Sequence, residues 1–245
     1  MKLNFYIILL LLLSIIAKAD QIFELIKIPN LTLHKLENKN SLAYLRPTKD
    51  FFVGSNFKNV SCRKNQSQNF NKKYLETQRG FDRYNDDFFR KIKLKYIVLC
   101  SELEIAGIPA LGFANPEMKT LIININSNNS NFERVLHHEV FHIIEHNFNR
   151  YFSKISWGDL NSKEFNYSAC STCSNNYSLE KIYNSKGFVS EYAKSSISED
   201  MAETFSFMMS HNNLILDMIS KDEILNKKVR IIKHIFKKLD VKHQF

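Results

Sequence analysis

Residues 135–144 read VLHHEVFHII, and no other stretch restricts the chain as much. His138-Glu139-Val140-Phe141-His142 has the HExxH spacing, and four of the chain's eight histidines fall between His137 and His146. Ser130 followed by Glu133 is a capping box, so the spacing predicts a helix from about Ser130 to Asn147. Phe132, Leu136, Val140, Ile143 and Ile144 then share one face, with Val135 at its edge. His138 lies nearly opposite that face and His142 on its flank. The two are one turn apart on one side, so both imidazoles reach one metal ion. Glu139 stands beside them, where a carboxylate takes a proton from a water. Such a helix suits the floor of a cleft.

A catalytic metal site needs a third protein ligand and an open position. One known completion places Gly three residues and His six residues beyond the second His. Here those positions hold Glu145 and Phe148. His146 is eight residues beyond His138, about 12 Å along the axis, too far to share one ion. A second completion, Gly-Thr-x-x-Asp downstream, is absent. A third uses a Glu from another helix, and residues 198–209 (SEDMAETFSFMM) provide one. Glu199 and Glu203 are one turn apart, with Met201, Ala202, Phe205, Met208 and Met209 on the apolar side. Ser196 and Glu199 also form a capping box, so Glu199 alone reads as a helix-start residue and Glu203 as part of a solvated face.

On these residues the chain resembles gluzincin-type HExxH zinc metallopeptidases. It is similar to the lethal-factor-type catalytic domain and to a group of exported zinc-binding metallopeptidases. Two blocks carry the resemblance: residues 137–142, after a strand ending near Asn126, and residues 187–193 (GFVSEYA), followed by residues 199–205 (EDMAETF). It spans roughly residues 93–210, and Phe141 replaces a residue that is commonly smaller. The resemblance implies an α+β, zincin-like fold: a small β-sheet packed on the HExxH helix, then a mainly helical C-terminal part. It implies one zinc ion per chain, held by His138, His142 and Glu199. Glu139 becomes the proton acceptor. Tyr192, seven residues before Glu199, becomes a donor to the oxyanion. Glu203, four residues after it, becomes the partner of a ligand histidine. The substrate is then a peptide or protein. Two alternatives stay open: a zinc hydrolase of a non-peptide amide, and a catalytically silent zincin-fold binding or effector protein. The presence of Glu139 counts against the silent form.

The N-terminus implies export. Lys2, the apolar run over residues 5–13, Ile15-Ile16 and the small-x-small triplet Ala17-Lys18-Ala19 read as a signal peptide over residues 1–19, cleaved after Ala19. Asp20 and Gln21 follow without a basic stop-transfer cluster. This predicts a periplasmic or secreted protein with no stable membrane anchor after cleavage. Loss of Lys2 and Lys18 lowers the formal charge from +9 to +7. The basic residues are scattered, with a mild cluster between Lys221 and Lys242, and form no nucleic-acid module. The sequence does not fix an oligomeric state.

An even cysteine count in an exported chain favours disulfides. Cys170 and Cys173 read as a short-range pair in a Ser/Asn-rich loop, which leaves Cys62 for Cys100. A Cys-x-x-Cys spacing also fits half a zinc site or a redox pair, but no second such pair exists. Residues 94–100 (LKYIVLC) and 119–126 (KTLIININ) read as strands, with Gly107, Pro109 and Gly112 punctuating the connection. Further helices are predicted from Ser196 or Ser198 to Ser210, over residues 214–220 and over residues 222–239. The last carries an apolar stripe of Ile224, Leu225, Ile232, Ile235, Phe236 and Leu239. Residues 20–90 read as an extension of unclear structure, with weak helical character over residues 69–79 and 83–91. Residues 91–245 form the metallopeptidase-like domain.

Overall fold

The run Ile97-Val98-Leu99-Cys100 is apolar without a break because both faces of its strand are covered. Ile97 and Leu99 enter a core shared with the helices, whereas Val98 and Cys100 face a second sheet. Leu121 and Ile123 repeat the first role and Ile122 the second. A strand buried on both sides loses the polar half of the usual alternation.

The computed structural model describes residues 40–53, 60–64, 70–85, 87–126, 129–168 and 185–239. The signal segment, the Cys170/Cys173 pair and the side chain of Ser130 lie outside the described part. In chain order the elements are β1 (Ala43–Leu45), β2 (Phe51–Val53), β3 (Val60–Cys62), α1 (Phe70–Phe81), α2 (Phe88–Lys91), β4 (Tyr96–Cys100), β5 (Leu103–Ile105), β6 (Ile108–Pro109), β7 (Gly112–Asn115) and β8 (Thr120–Asn124). The helices α3 (Asn129–Asn147), α4 (Lys154–Gly158), α5 (Ile197–Ser210), α6 (Asn212–Lys221) and α7 (Glu223–Lys238) follow. One sheet has the order β1-β4-β8-β7, with β1, β4 and β8 parallel and β7 antiparallel at the edge. The other, β2-β3-β5-β6, is antiparallel throughout. β1 comes from the stretch for which the sequence offered no assignment, yet it pairs directly with β4.

The connection marked by Gly107, Pro109 and Gly112 is more ordered than its punctuation suggests. Ile105 pairs with Ile108 across Ala106 and Gly107, which have φ of 53° and 78°. Two successive left-handed residues give a turn whose twist matches the flanking strands. The chain then enters β7, the edge strand beside the cleft.

α3 buries Phe132, Leu136, Val140, Ile143 and Ile144, the face that its periodicity defines. α5 lies against α3 and is buried from Glu199 to Met209. α7 buries Leu225, Ile232, Ile235 and Phe236, with Leu239 just beyond its end. Its stripe also contains a residue that hydropathy does not predict there, Lys228. Among the described residues no helix is long and apolar enough to cross a membrane.

A Cys62–Cys100 disulfide joins β3 to β4, and so one sheet to the other. The two cysteines are 38 residues apart, a loop whose closure in the unfolded chain costs about 4 kcal/mol of entropy. Replacing both by Ser is therefore expected to lower unfolding free energy by roughly that amount, read from urea titration. A change below about 1 kcal/mol would show that the bridge adds little beyond the packing around it.

Candidate metal centre

α3 and α5 bring the sequence-predicted residues together. His138 Nε2 and His142 Nε2 lie 3.1 Å apart. Glu199 Oε2 is 2.9 Å from the first and 3.4 Å from the second. The three residues offer ligand atoms that all fall within 4.8 Å of one another. Glu199 sits in the first turn of α5, where Ser196 Oγ accepts from the Glu199 amide at 3.2 Å. The cap therefore forms with the backbone, and the Glu199 carboxylate turns toward the histidines.

The outer nitrogens of both rings face oxygen atoms. His138 Nδ1 donates to Glu203 Oε1 at 2.9 Å. Glu203 is only 2% exposed, so it belongs to no solvated face. Its other oxygen accepts from Arg134 Nη1 at 2.6 Å and from the Ser190 hydroxyl. His142 Nδ1 lies 3.5 Å from Ser198 Oγ and 3.7 Å from Glu145 Oε2, and Ser198 donates to Glu145. With the outer nitrogens so engaged, the inner ones and one carboxylate oxygen converge on a point that calls for positive charge. A metal ion fits this donor set. Two imidazoles and a carboxylate are a zinc ligand set, and the carboxylates behind them fix ring orientation.

The electrostatics point the same way. Burial disfavours a charged His138, but hydrogen bonds and charge from Glu199 and Glu203 outweigh it and raise its pKa to about 9. Burial opposes charging of His142 as well, yet Glu199 and Glu145 hold it well above the ordinary imidazole range. Glu199 is lowered, because the two histidines overcome its burial. The raised imidazole pKa values and the lowered Glu199 pKa mark a place that favours a cation.

Glu139 lies against the edge strand. A Cβ on Gly112 would stand 2.6 Å from Glu139 Oε1, so any larger residue there would push the carboxylate from this position. The Ala114 amide hydrogen-bonds to the carboxylate. Burial raises the Glu139 pKa, partly offset by His138 and His142. Tyr192, in a 3-10 turn over Tyr192–Lys194, has its ring centroid 5.9 Å from that of His138. Glu139, Tyr192, both histidines and Glu199 line one cavity of about 760 Å³. Its strand side is apolar, with Ile105, Ile108 and Phe113, and its lining also includes His146, Asn149 and Lys154.

Sequence reasoning missed Arg134, Glu145, Ser190 and Ser198. Helical spacing held part of the signal, since Arg134 is four residues before His138 and Glu145 three after His142. Ser190 had none, because it acts from a turn that only the fold brings against Glu203.

An HExxH helix under a small mixed sheet, completed by a carboxylate from a second helix, defines a zincin-like α+β protein of the gluzincin type. Residues 80–243 match the family described as "Putative zinc-binding metallo-peptidase", and the chain belongs to that family. Among solved structures it is similar to a "putative zinc-binding metallo-peptidase" from Bacteroides caccae, at 19% identity over 69% of this chain and 70% of that one, with a TM-score of 0.40. No curated protein matches the chain.

Proposed function

We propose that the protein is an exported zinc peptidase, with one zinc ion per chain held by His138, His142 and Glu199. The observation that carries this reading is the convergence of those three donors beside a buried Glu139 in an open cleft. When bound, zinc polarises the scissile carbonyl and makes water acidic enough to attack near neutral pH.

The chain's own groups do the rest. Glu139 takes the proton from the attacking water and returns it to the leaving amine, and its burial-raised pKa suits a group that must do both. Tyr192 donates its phenolic hydrogen to the oxyanion. Glu203, held by Arg134 and Ser190, keeps the His138 ring in one tautomer. The β7 backbone orients the substrate. Leu111 O accepts from Asn124 N, so Leu111, Phe113 and Asn115 bond inward to β8, and the carbonyls of Gly112 and Ala114 point away from it. An extended peptide can add to that edge as a further strand. Export is supported by the N-terminal pattern of residues 1–19 and by the Cys62–Cys100 bridge, which belongs to an oxidising compartment.

The test is an unbiased peptide-library digestion by the mature protein. Cleavage should stop with a chelator and return with one equivalent of zinc. A zinc-loaded protein that cuts no peptide, or a chelator-insensitive activity, would overturn the reading.

A pH dependence accompanies it. His138 titrates near 9 in the metal-free fold and near 6.5 in an unfolded chain. Its raised pKa stabilises the fold fully below pH ~6.5, and this contribution is lost as pH rises through about 9. Metal-free protein is expected to melt at lower temperature at pH 9.5 than at pH 6.5, whereas the zinc-loaded form should change less because the ion replaces the proton. Thermal melts with chelator and with zinc check this; parallel pH profiles would contradict it.

A further inference from the structure

The charge inside α7 has no part in the chemistry above. Lys228 is 0% exposed and sits in the apolar stripe between Leu225 and Ile232. Its Nζ donates to Asp200 Oδ2 at 2.6 Å and to the Gly187 carbonyl at 2.7 Å. It also lies 4.1 Å from the centroid of the Phe188 ring. The same Asp200 oxygen accepts from Trp157 Nε1 at 2.8 Å and from Tyr167 Oη at 2.6 Å. A single ammonium thus touches two places, and each leads to the candidate site.

The first is α5. Asp200 directly follows Glu199, so an anchor on Asp200 fixes the rotation of the helix turn that aims Glu199 at the histidines. The second is the segment carrying Ser190 and Tyr192, which Gly187 opens. α7 grips Gly187 at both backbone groups. Lys228 holds its carbonyl, and Asp222, the N-cap of α7, accepts from its amide at 2.5 Å. Gly187 has φ of +91°, and a Cβ there would stand 2.9 Å from Ile224 of the same helix.

We propose that Lys228 is a positioning residue for the metal centre, setting both the direction of Glu199 and the path of the Tyr192 segment from a helix outside the two motif blocks. The proposal rests on the reading of Glu199 as ligand and Tyr192 as oxyanion donor. Stability alone does not require such a pair. A buried ion pair is often matched or bettered by apolar residues of similar volume, and a methionine would fit this stripe. A methionine would not hold the Gly187 carbonyl or anchor Asp200.

Two variants separate position from stability. Lys228→Met leaves the Asp200 charge buried without its cation and should lower Tm markedly. The double variant Asp200→Asn with Lys228→Met removes both charges and should recover most of that Tm. It still lacks the ammonium at Gly187. Both variants should therefore bind zinc about tenfold or more weakly in chelator competition, and show a changed visible spectrum after cobalt(II) substitution. On a cleaved peptide, kcat should fall by about tenfold or more with KM nearly unchanged. A double variant that regains stability together with wild-type zinc affinity, cobalt spectrum and kcat would overturn the proposal and leave Lys228 a structural ion pair. If the wild type binds zinc but cleaves no peptide, the peptidase reading fails, and the zinc and cobalt measurements still decide the role of Lys228.

Discussion

Glu199→Ala is expected to abolish stoichiometric zinc binding and, with it, peptide turnover. Among the described residues three side chains converge at the centre, and Glu199 Oε2 is the anionic donor of the three, close to both imidazole nitrogens. Its removal leaves two neutral imidazole nitrogens, 3.1 Å apart, as the remaining donors, with no carboxylate directly against them. Glu203 makes the informative comparison. It bonds the outer nitrogen of the same histidine, so Glu203→Gln should keep zinc bound and weaken it by about 10–100-fold. Gln is preferable to Ala here, because Ala would strand the buried Arg134 guanidinium and confound affinity with unfolding. Metal analysis and chelator competition on the two variants decide the matter. Full zinc occupancy in the Glu199 variant together with loss in the Glu203 variant would exchange their roles.

Glu139→Gln should retain zinc and fold and lose turnover by a factor of at least ~10². The amide has nearly the shape of the carboxylate, so it fills the space that Gly112 leaves and still offers an oxygen to the Ala114 amide. It cannot accept a proton from the attacking water. Loss of turnover at unchanged zinc content therefore isolates proton transfer from metal binding. Single-turnover kinetics on a peptide cleaved by the wild type give the rate. Activity within a few-fold of wild type would remove Glu139 from the role of base.

The HExxH helix was legible because its information is local. Helical geometry alone sets His138 and His142 one turn apart, and the apolar residues between them name the buried side. The two central strands were legible for a similar reason, since four adjacent apolar residues in β4 and three in β8 need cover on both faces. β7 was not. Four residues, one of them Gly112, carry too little alternation to mark a strand, and β7 exists because β8 offers it a partner. Its importance also comes from contact, through the closeness of Gly112 to Glu139.

Spacing along α5 placed Glu199 and Glu203 on one face and could go no further, because residues four apart are equivalent on an isolated helix. The packing of α5 on α3 broke that equivalence. It set Glu199 at the inner nitrogen of His138 and Glu203 at the outer one, with Arg134 and Ser190 behind Glu203. Lys228 is the extreme case. Read by hydropathy it belongs in water, and what keeps it in the core is an aspartate 28 residues away and the carbonyl of Gly187. Periodicity is a property of neighbouring residues and survives in the bare sequence. Which oxygen meets which nitrogen depends on how elements distant in the chain settle against each other, and that follows from the packing of the whole core.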